Sequence, residues 1–311
     1  MSAGAASATV HVIVLNYRTP DLTIAAIESL LASETSHLSL TCTIVDNRSA
    51  DDSVERLRNQ FSTIPLIESS HNRGYAGGNN LGIRALLSEI PVTANRDDTY
   101  VLLLNSDVVV RSDTVATCVA FLRAHSDVGI VGPKVVLPDG SLDLACRRGF
   151  PTPSRALWKL TGLAMRFPNN PRFTGYNLTH LDENETTEVD SVMGAFMLVR
   201  LAAIDDAGLL DEDFFMYGED LDWSYRIKAR GWRVFYHPTA SVTHLKGASS
   251  RRQSYRMIFE FYRAMWLFHR KHYARRQRLP VNLLILLGIA ARGALAFAIN
   301  ATRPAGRKRV A

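Results

Sequence analysis

The chain has 311 residues, of which 47% are apolar and 21% charged, and its formal net charge is +6. This composition supports a sizeable buried core, excludes an intrinsically disordered chain and allows one α/β enzyme domain with an appendage. Basic residues crowd the segments 251–278 and 303–309, which favours a phosphate-rich partner, either nucleic acid or an anionic membrane surface.

The cysteines favour a reducing compartment, and the N-terminus resembles no signal peptide. Cys42, Cys118 and Cys146 are far apart and lack metal-site spacing, so we predict buried thiols. The first residues form no basic segment followed by an apolar core. We therefore expect a disordered segment, 1–8, and no signal peptide.

The N-terminal third alternates predicted strands with predicted helices. The predicted strands cover 9–15, 40–45 and 64–68, and the predicted helices cover 20–31 and 51–60. This alternation is typical of a mostly parallel, three-layer α/β domain. The first strand ends at Asn16 and Tyr17, and the second ends at Asp46 and Asn47.

A glycine-rich stretch, 71–80, precedes a predicted helix over 81–87. Glycines allow a close approach of the backbone, and a helix N-terminus favours an anion. The stretch lacks the Gly-Lys-Ser/Thr ending of a P-loop. A plain loop in which Asn caps the helix is an equal alternative.

The segment from Tyr100 into Val110 predicts a central strand, because its apolar run is too short for a helix and suits burial on both faces. The run leads to Asn105, Ser106 and Asp107. A carboxylate at the end of such a strand suits a divalent cation that holds nucleotide phosphates. An ordinary turn explains the same residues.

The middle of the chain loses its periodicity. A helix over 113–124 and a strand over 128–136 precede an irregular insert, 138–188, which is rich in proline. A long insert of this kind in an enzyme is usually a lid or an acceptor-binding loop. The sheet resumes over 189–199.

A second acidic motif follows. Glu219, Asp220 and Asp222 suit the first turn of a helix, and the spacing places Asp220 beside Trp223 and Asp222 beside Arg226. A carboxylate in this setting can act as a general base on a hydroxyl. Strands over 232–236 and 241–244 then end at His244, which by itself suits a structural role or a metal ligand.

These motifs, taken in order, resemble those of the family 2 inverting glycosyltransferases, and the branch they are most similar to is the rhamnosyltransferases of bacterial surface polysaccharides. The resemblance extends over about 9–250, and its motifs lie at 14–17, 45–49, 72–80, 103–108, 193–196, 211–223 and 244–249.

The resemblance implies a GT-A fold, a nucleotide-sugar donor, a divalent cation (Mg²⁺ or Mn²⁺) and specific roles for single residues. The nucleotide-binding positions it implies are Tyr17, Asp46, Asn47, Arg73, Asn105 and Ser106. The implied metal ligands are Asp107 and His244, the implied base is Asp220, and Glu219 and Trp223 are implied on the acceptor side. Asn105 replaces the first Asp of the family's Asp-x-Asp motif, so we expect weaker metal binding.

The C-terminal part predicts a basic amphipathic helix over 251–279, then an apolar helix and a basic tail over 280–311. No RNA-binding signature accompanies them, so we favour membrane contact and expect no nucleic acid. Arg292 interrupts the apolar run. Spanning the bilayer, lying in its interface and packing against the domain therefore all remain open.

The predicted function is inverting transfer of a sugar, with L-rhamnose favoured, to a glycan or lipid-linked acceptor at the inner face of the bacterial cell membrane. Galactofuranose and N-acetylhexosamine are alternatives. A sugar nucleotidyltransferase would need a glycine-rich basic motif after the first strand, which 15–20 lacks. The joint presence of Asp107, Asp220 and His244 argues against a non-catalytic glycan-binding protein.

Overall fold

The computed structural model describes residues 7–245 and 254–303. The strands are β1 Ala8–Asn16, β2 Leu38–Asp46, β3 Leu66–Glu68, β4 Thr99–Asn105, β5 Val108–Val110, β6 Val128–Val136, β7 Arg147–Arg148, β8 Thr187–Glu188, β9 Ser191–Val192, β10 Phe196–Arg200 and β11 Arg233–His244. The α-helices are α1 Pro20–Leu31, α2 Ser53–Gln60, α3 Gly74–Glu89, α4 Thr114–Ala124, α5 Pro153–Leu160, α6 Leu163–Arg166, α7 Pro171–Thr174, α8 Leu201–Ala207, α9 Glu219–Ala229, α10 Ser254–His272 and α11 Leu279–Thr302.

One mixed sheet organises the described residues. Its strand order is β3-β2-β1-β4-β10-β6-β11-β5, with β8 paired to β11. Strands β1, β2, β3, β4, β6 and β11 run in one direction, and β5, β8 and β10 run against it. Strands β7 and β9 form a separate antiparallel pair. The carboxyl ends of β1, β2 and β4 therefore meet at one edge, where open α/β sheets bind ligands.

Helices cover both faces of this sheet. Strand β4 is buried along nearly its whole length, as its continuous apolar sequence predicts. Helix α3 packs so closely on one face that a Cβ at Gly78 would lie 2.5 Å from Leu15, and one at Gly82 would lie 2.7 Å from Ile13. Thr23 of α1 donates to Asn16 from the other face. The predicted three-layer arrangement is confirmed.

Several predicted boundaries change. The helix predicted over 81–87 begins at Gly74, so the glycine-rich stretch forms its first turns. The strand predicted over 189–199 is interrupted between β9 and β10. The two strands predicted over 232–236 and 241–244 form one strand, β11, with irregular register near Ser241. Residues 1–6 of the predicted disordered segment lie outside the described residues, and Ala8 already begins β1.

The insert, 138–188, contains short elements: β7, α5, α6, α7 and β8. Arg155 donates to the carbonyl of Phe150 within the insert and to the carboxylate of Asp190 just beyond it. The insert also contacts α9, whose first turn carries the second acidic motif, because Arg148 donates to the Asp220 carboxylate.

Helices α10 and α11 form an antiparallel hairpin. Asn282 lies 2.8 Å from the His269 ring near the turn, and Phe297 stacks on Tyr255 at the far end. Helix α10 buries Phe268 in a small second core against α9. The basic residues within 251–253 and 304–309, on which the predicted membrane contact partly depends, lie outside the described residues.

Candidate active site

A cleft opens at the carboxyl ends of β1, β2 and β4. Its walls come from the strand ends, from the start of α3, from the loop before α9 and from α10. The lining residues are Leu15, Tyr17, Thr19, Asn47, Asn72, Gly74, Tyr75, Asn105, Ser106, Asp107, Phe215, Met216 and Met257. Five of the residues predicted from the sequence, Tyr17, Asn47, Asn105, Ser106 and Asp107, therefore share one cleft.

Asp46 and Asn47 shape the loop beneath this cleft. Asp46 is buried, and it accepts from the Asn16 side chain at 2.8 Å and from the backbone N–H of Ser49 at 3.0 Å. Asn47 donates to the carbonyl of Gly74 and accepts from the backbone N–H of Arg73. Asn47 thus joins the second strand end to the start of α3, whereas Asp46 stabilises its own turn.

Arg73 lies beside the cleft, and Ser106 lies within it. The Arg73 guanidinium donates to Ser69 at 3.1 Å, which directs it along the loop before α3. The Ser106 hydroxyl lies 3.1 Å from that of Thr19, so the two hydroxyls present polar groups at the cleft floor.

The start of α3 is occupied by protein groups. The backbone N–H of Gly74 donates to Asn72 at 2.9 Å, and that of Tyr75 donates to the carbonyl of Phe215 at 2.7 Å. The alternative of a loop in which Asn caps the helix is wrong, because Asn79 and Asn80 both lie inside α3. The glycines of α3 allow its close packing on the sheet.

Asp107 and His244 meet although they are far apart in sequence. Strand β11 pairs with β5, which brings the His244 Nε2 atom to 3.3 Å from an Asp107 oxygen. On its other side, Nδ1 lies 3.2 Å from buried Asp143. Burial lowers the pKa of His244, but hydrogen bonds with Asp107 and Asp143 outweigh it and raise that pKa to about 9.

This pair fits a divalent cation. A carboxylate oxygen and an imidazole nitrogen face each other at the cleft edge, and phosphate oxygens and water commonly complete such a site. In metal sites a carboxylate on the second imidazole nitrogen fixes the ring and leaves the first nitrogen for the metal, and Asp143 occupies such a position beside Nδ1 of His244. Within residues 7–245 and 254–303, no group of three or more His, Cys, Asp or Glu side chains could hold a metal.

The acidic pair lies at the first turn of α9. Tyr217 (φ 70°) and Gly218 (φ 81°) both adopt left-handed conformations, and this sharp turn starts the helix with Glu219 and Asp220 buried. For tyrosine this conformation is strained, and such strain concentrates at functional sites. The turn is therefore a second indication that this motif is functional.

Asp220 receives three N–H donors. Its Oδ2 atom accepts from Arg148 at 2.6 Å and from the backbone of Gly194 at 3.0 Å, and its Oδ1 atom accepts from the backbone of Leu221 at 2.8 Å. The interruption between β9 and β10 provides the Gly194 N–H, and the insert provides Arg148.

Glu219 has a different environment. Among the residues that the structure describes, its Oε2 atom is buried without a hydrogen-bond partner. Burial, reinforced by the neighbouring Asp220, raises the pKa of Glu219 to about 8. A carboxyl pKa raised in this way is typical of catalytic sites.

Tyr75 connects the acidic pair to the cleft. Its hydroxyl donates to the carbonyl of Gly194 at 2.6 Å, and it also lines the cleft. Burial raises the Tyr75 pKa, and the charges of Glu219, Asp220 and Asp107 raise it further. One buried tyrosine is thus within electrostatic reach of both the metal-ligand end and the acidic end.

The acceptor-side role predicted for Trp223 is wrong. Trp223 is fully buried in the main core, and its indole N–H donates to the carbonyl of Gly208, because the position three residues after Asp220 turns toward the sheet. The predicted pairing of Asp222 with Arg226 is present at 2.7 Å, but Asp222 is buried and also contacts His272 of α10 at 2.8 Å.

Asp143, Arg148 and Met257 lie outside every motif identified in the sequence. Asp143 and Arg148 belong to the insert, where no periodic pattern marks single positions, and Met257 belongs to α10. The length of the insert was the sequence feature that pointed to this region. None of the three follows a predicted strand end, so only tertiary packing brings them to the site.

Comparison with known proteins identifies the family. The profile described as Glycosyltransferase like family 2 matches residues 7–258. An N-acetylglucosaminyl-diphospho-decaprenol L-rhamnosyltransferase of Mycobacterium tuberculosis is 27% identical over 268 residues, 85% of this chain and 86% of the relative. The rhamnosyltransferase WbbL of Escherichia coli is 28% identical over 179 residues, 55% of this chain and 60% of the relative.

Solved structures show the same fold. A mannosyltransferase of Pyrobaculum calidifontis, solved with GDP-Man and Mn²⁺, matches with a TM-score of 0.58 at 17% identity, over 96% of this chain and 78% of that one. S. aureus TarS 1–349 matches with a TM-score of 0.54 at 16% identity, over 89% and 69%. The predicted GT-A fold is confirmed. The chain belongs to the family 2 glycosyltransferases and is a glycosyltransferase of their rhamnosyltransferase-like branch.

Proposed function

We propose that this glycosyltransferase transfers L-rhamnose, with inversion, from a nucleoside diphosphate donor to a hydroxyl of a lipid-linked or polysaccharide acceptor. The observation that carries the proposal is the position of Tyr75, which lines the cleft together with Asp107. The Tyr75 hydroxyl donates to the carbonyl of Gly194, and the Gly194 N–H donates to Asp220, so the cleft is linked to the pair formed by Glu219 and Asp220. The departing diphosphate needs a cation, which the Asp107 end would supply once it holds a metal. The attacking hydroxyl needs a base, which the acidic pair would supply.

The donor end is assigned to the strand edge. Tyr17 and Asn47 line the part of the cleft that would take the nucleoside. Asp107 and His244 would hold Mg²⁺ or Mn²⁺, which when bound would neutralise the charge of the departing diphosphate. Asp143 holds the His244 ring in the orientation that this role needs.

The acceptor end is assigned to α9. Asp220 takes the proton of the attacking hydroxyl while the new bond forms on the face of the anomeric carbon opposite the diphosphate. The nucleoside diphosphate leaves with the electron pair of the broken bond. A single displacement of this kind inverts the anomeric centre and needs no covalent intermediate on the protein.

The names of the relatives support the choice of sugar and acceptor. Both the M. tuberculosis and E. coli relatives are named rhamnosyltransferases, and the first name includes a diphospho-decaprenol acceptor. Galactofuranose and N-acetylhexosamine remain the competing sugars. A panel of nucleotide sugars, assayed for released nucleoside diphosphate with and without acceptor, decides among them, and turnover confined to a competing sugar would refute rhamnose.

The mechanism is tested by Asp220→Asn. This change keeps the size of the side chain but removes the proton acceptor, so transfer should fall about 10²- to 10⁴-fold. Donor affinity, measured by titration, should change little, because the lost interaction belongs to the transition state. Asp213→Asn is the matched control, since its carboxylate is 57% exposed and pairs with Lys271 outside the cleft. Wild-type turnover by Asp220→Asn would refute the assignment.

Membrane contact is proposed for α11. Among the described helices it is the one long and apolar enough to cross a membrane by length and composition, and little of it is buried. Its exposed apolar side chains include Leu279, Leu283, Leu284, Leu287, Leu295 and Ile299. Packing of α11 on α10 favours a hairpin lying in the membrane interface, which would place the active site at the inner membrane surface beside a lipid-linked acceptor.

A further inference from the structure

The acidic pair poses an electrostatic problem that the proposed function leaves open. Glu219 and Asp220 are adjacent, both are buried, and two neighbouring carboxylates in a dry environment do not both ionise readily. A general base must nevertheless be ionised before the acceptor arrives. The sequence does not distinguish the two residues, because both are acids in the same helix turn.

We propose that Arg148 selects the base: its guanidinium keeps Asp220 ionised and oriented, while Glu219, which has no such partner within residues 7–245 and 254–303, stays protonated. This inference rests on the proposed function, in which Asp220 is the base. Arg148 acts through Asp220 and is therefore a positioning residue. It comes from the insert, so the insert would be required for the charge state of the base.

The geometry of the contact supports this division. The ion pair is short, at 2.6 Å, and each side chain is 10% exposed. The same Arg148 nitrogen also donates to the carbonyl of Val192, which fixes the guanidinium against β9. Three donors occupy three of the roughly four acceptor positions of the Asp220 carboxylate. One position therefore remains for the hydroxyl proton.

The other charged and titratable groups nearby do not replace Arg148. Tyr75 faces the pair from α3, and its raised pKa keeps it neutral. Asp222 faces Glu219 from the same helix, but Arg226 and His272 pair with it. Burial lowers the pKa of Arg148, yet Asp220 and then Tyr176 raise it above its usual range. It therefore remains a cation.

The insert contains a second basic residue near Arg148, Lys159. The Lys159 ammonium lies 4.3 Å from the centre of the Tyr176 ring, and burial together with repulsion from Arg148 lowers its pKa. Lys159 is thus close enough to Arg148 to be repelled by it. Asp220 forms its ion pair with Arg148.

The test is the pH dependence of transfer. An opposite charge beside a carboxylate stabilises its ionised form, and removal of that charge typically raises the pH of protonation by about 1 to 3 units. A carboxylate base is active above its protonation pH, so activity is lost as the pH falls. In Arg148→Met the acid limb of the pH–rate profile should therefore move upward by about 1 to 3 units. In Arg148→Lys, which keeps a positive charge, the acid limb should lie close to its wild-type position.

Arg155→Met is the matched control. Arg155 also belongs to the insert and forms a partly buried ion pair, but its partner is Asp190 and not the acidic pair. Its loss should lower stability without moving the acid limb. Nucleoside diphosphate titration of each variant confirms that the donor site is folded. An acid limb in Arg148→Met that coincides with wild type, with only the rate reduced, would overturn the inference.

A second measurement remains decisive if Arg148→Met does not fold. Because Glu219 is already protonated, Glu219→Gln should leave the midpoint of the acid limb in place, whatever its effect on the rate. A large downward or upward move of that midpoint would show that Glu219 is the group that titrates, and would overturn the inference. Failure of the proposed function is distinct, because Asp220→Asn would then retain transfer.

Discussion

The contacts of Asp222 with Arg226 and His272 allow a quantitative prediction of how much they stabilise the position of α9. Its side chain is 1% exposed and accepts hydrogen bonds from Arg226 at 2.7 Å and from His272 at 2.8 Å. Because His272 lies on α10, this carboxylate joins the helix that carries the acidic pair to the C-terminal hairpin. The spacing of four residues predicts a surface pair with Arg226, but burial and the second partner make the contact far more important.

The perturbation is Asp222→Asn. The asparagine oxygen can accept a hydrogen bond from either Arg226 or His272. Its NH₂ group then faces the N–H donor of the other residue, and no hydrogen bond forms there. Hydrogen bonds that involve charged groups contribute about 1.5–3 kcal/mol each, so we expect the free energy of unfolding to fall by about 2–3 kcal/mol. Asp222→Ala breaks both contacts and should cost more, about 3–5 kcal/mol. For a chain of this size the asparagine variant should melt about 3–5 °C lower.

The assay is thermal and denaturant unfolding of the full chain, with Asp213→Asn as the control. The exposed pair formed by Asp213 and Lys271 should contribute under about 1 kcal/mol. Burial raises the pKa of Asp222, but hydrogen bonds with His272 and Arg226 outweigh it and lower that pKa below 3.8. Its contribution is therefore complete above pH 3.8 and is lost as the pH falls through the depressed pKa. Equal melting of Asp222→Asn and wild type near pH 7 would refute this reasoning.

The remaining predictions concern the cation and the tail. Excess chelator should abolish transfer and Mg²⁺ or Mn²⁺ should restore it, with His244→Ala requiring more metal; full activity in chelator would contradict the site. Asp143→Ala should weaken Mn²⁺ binding, measured by EPR titration, about 10- to 100-fold, with Asp143→Asn weakening it less. A chain truncated before Leu279 should keep donor hydrolysis and lose binding to anionic vesicles, and equal vesicle binding would count against the membrane hairpin.

The local pattern determined much of the fold. Apolar runs of strand length, separated by amphipathic segments, predicted β1, β2, β4, β6 and α1 within a few residues, because short-range periodicity decides such elements. It also predicted which strand ends carry polar groups. Five cleft residues follow from that rule, since the carboxyl ends of neighbouring parallel strands share one edge.

The glycine-rich stretch shows where the local pattern is insufficient. Asn and Gly usually indicate a loop, but α3 extends through Gly74–Asn80 because the absence of side chains lets it pack onto Leu15 and Ile13. The favourable burial of this contact outweighs the low helix propensity of glycine. A single sequence does not reveal such an outcome, because the partner strand is distant along the chain.

By itself, the sequence determined the family, the strands that end in polar residues and the acidic motif, since each depends on residues that are close along the chain. The tertiary structure decided which side chains from distant segments contact these residues. The pairing of β11 with β5 brings His244 to Asp107, and the insert places Asp143 beside His244 and Arg148 beside Asp220. Contacts of this kind depend on packing between distant segments, and packing, not local propensity, gives two adjacent acids different environments.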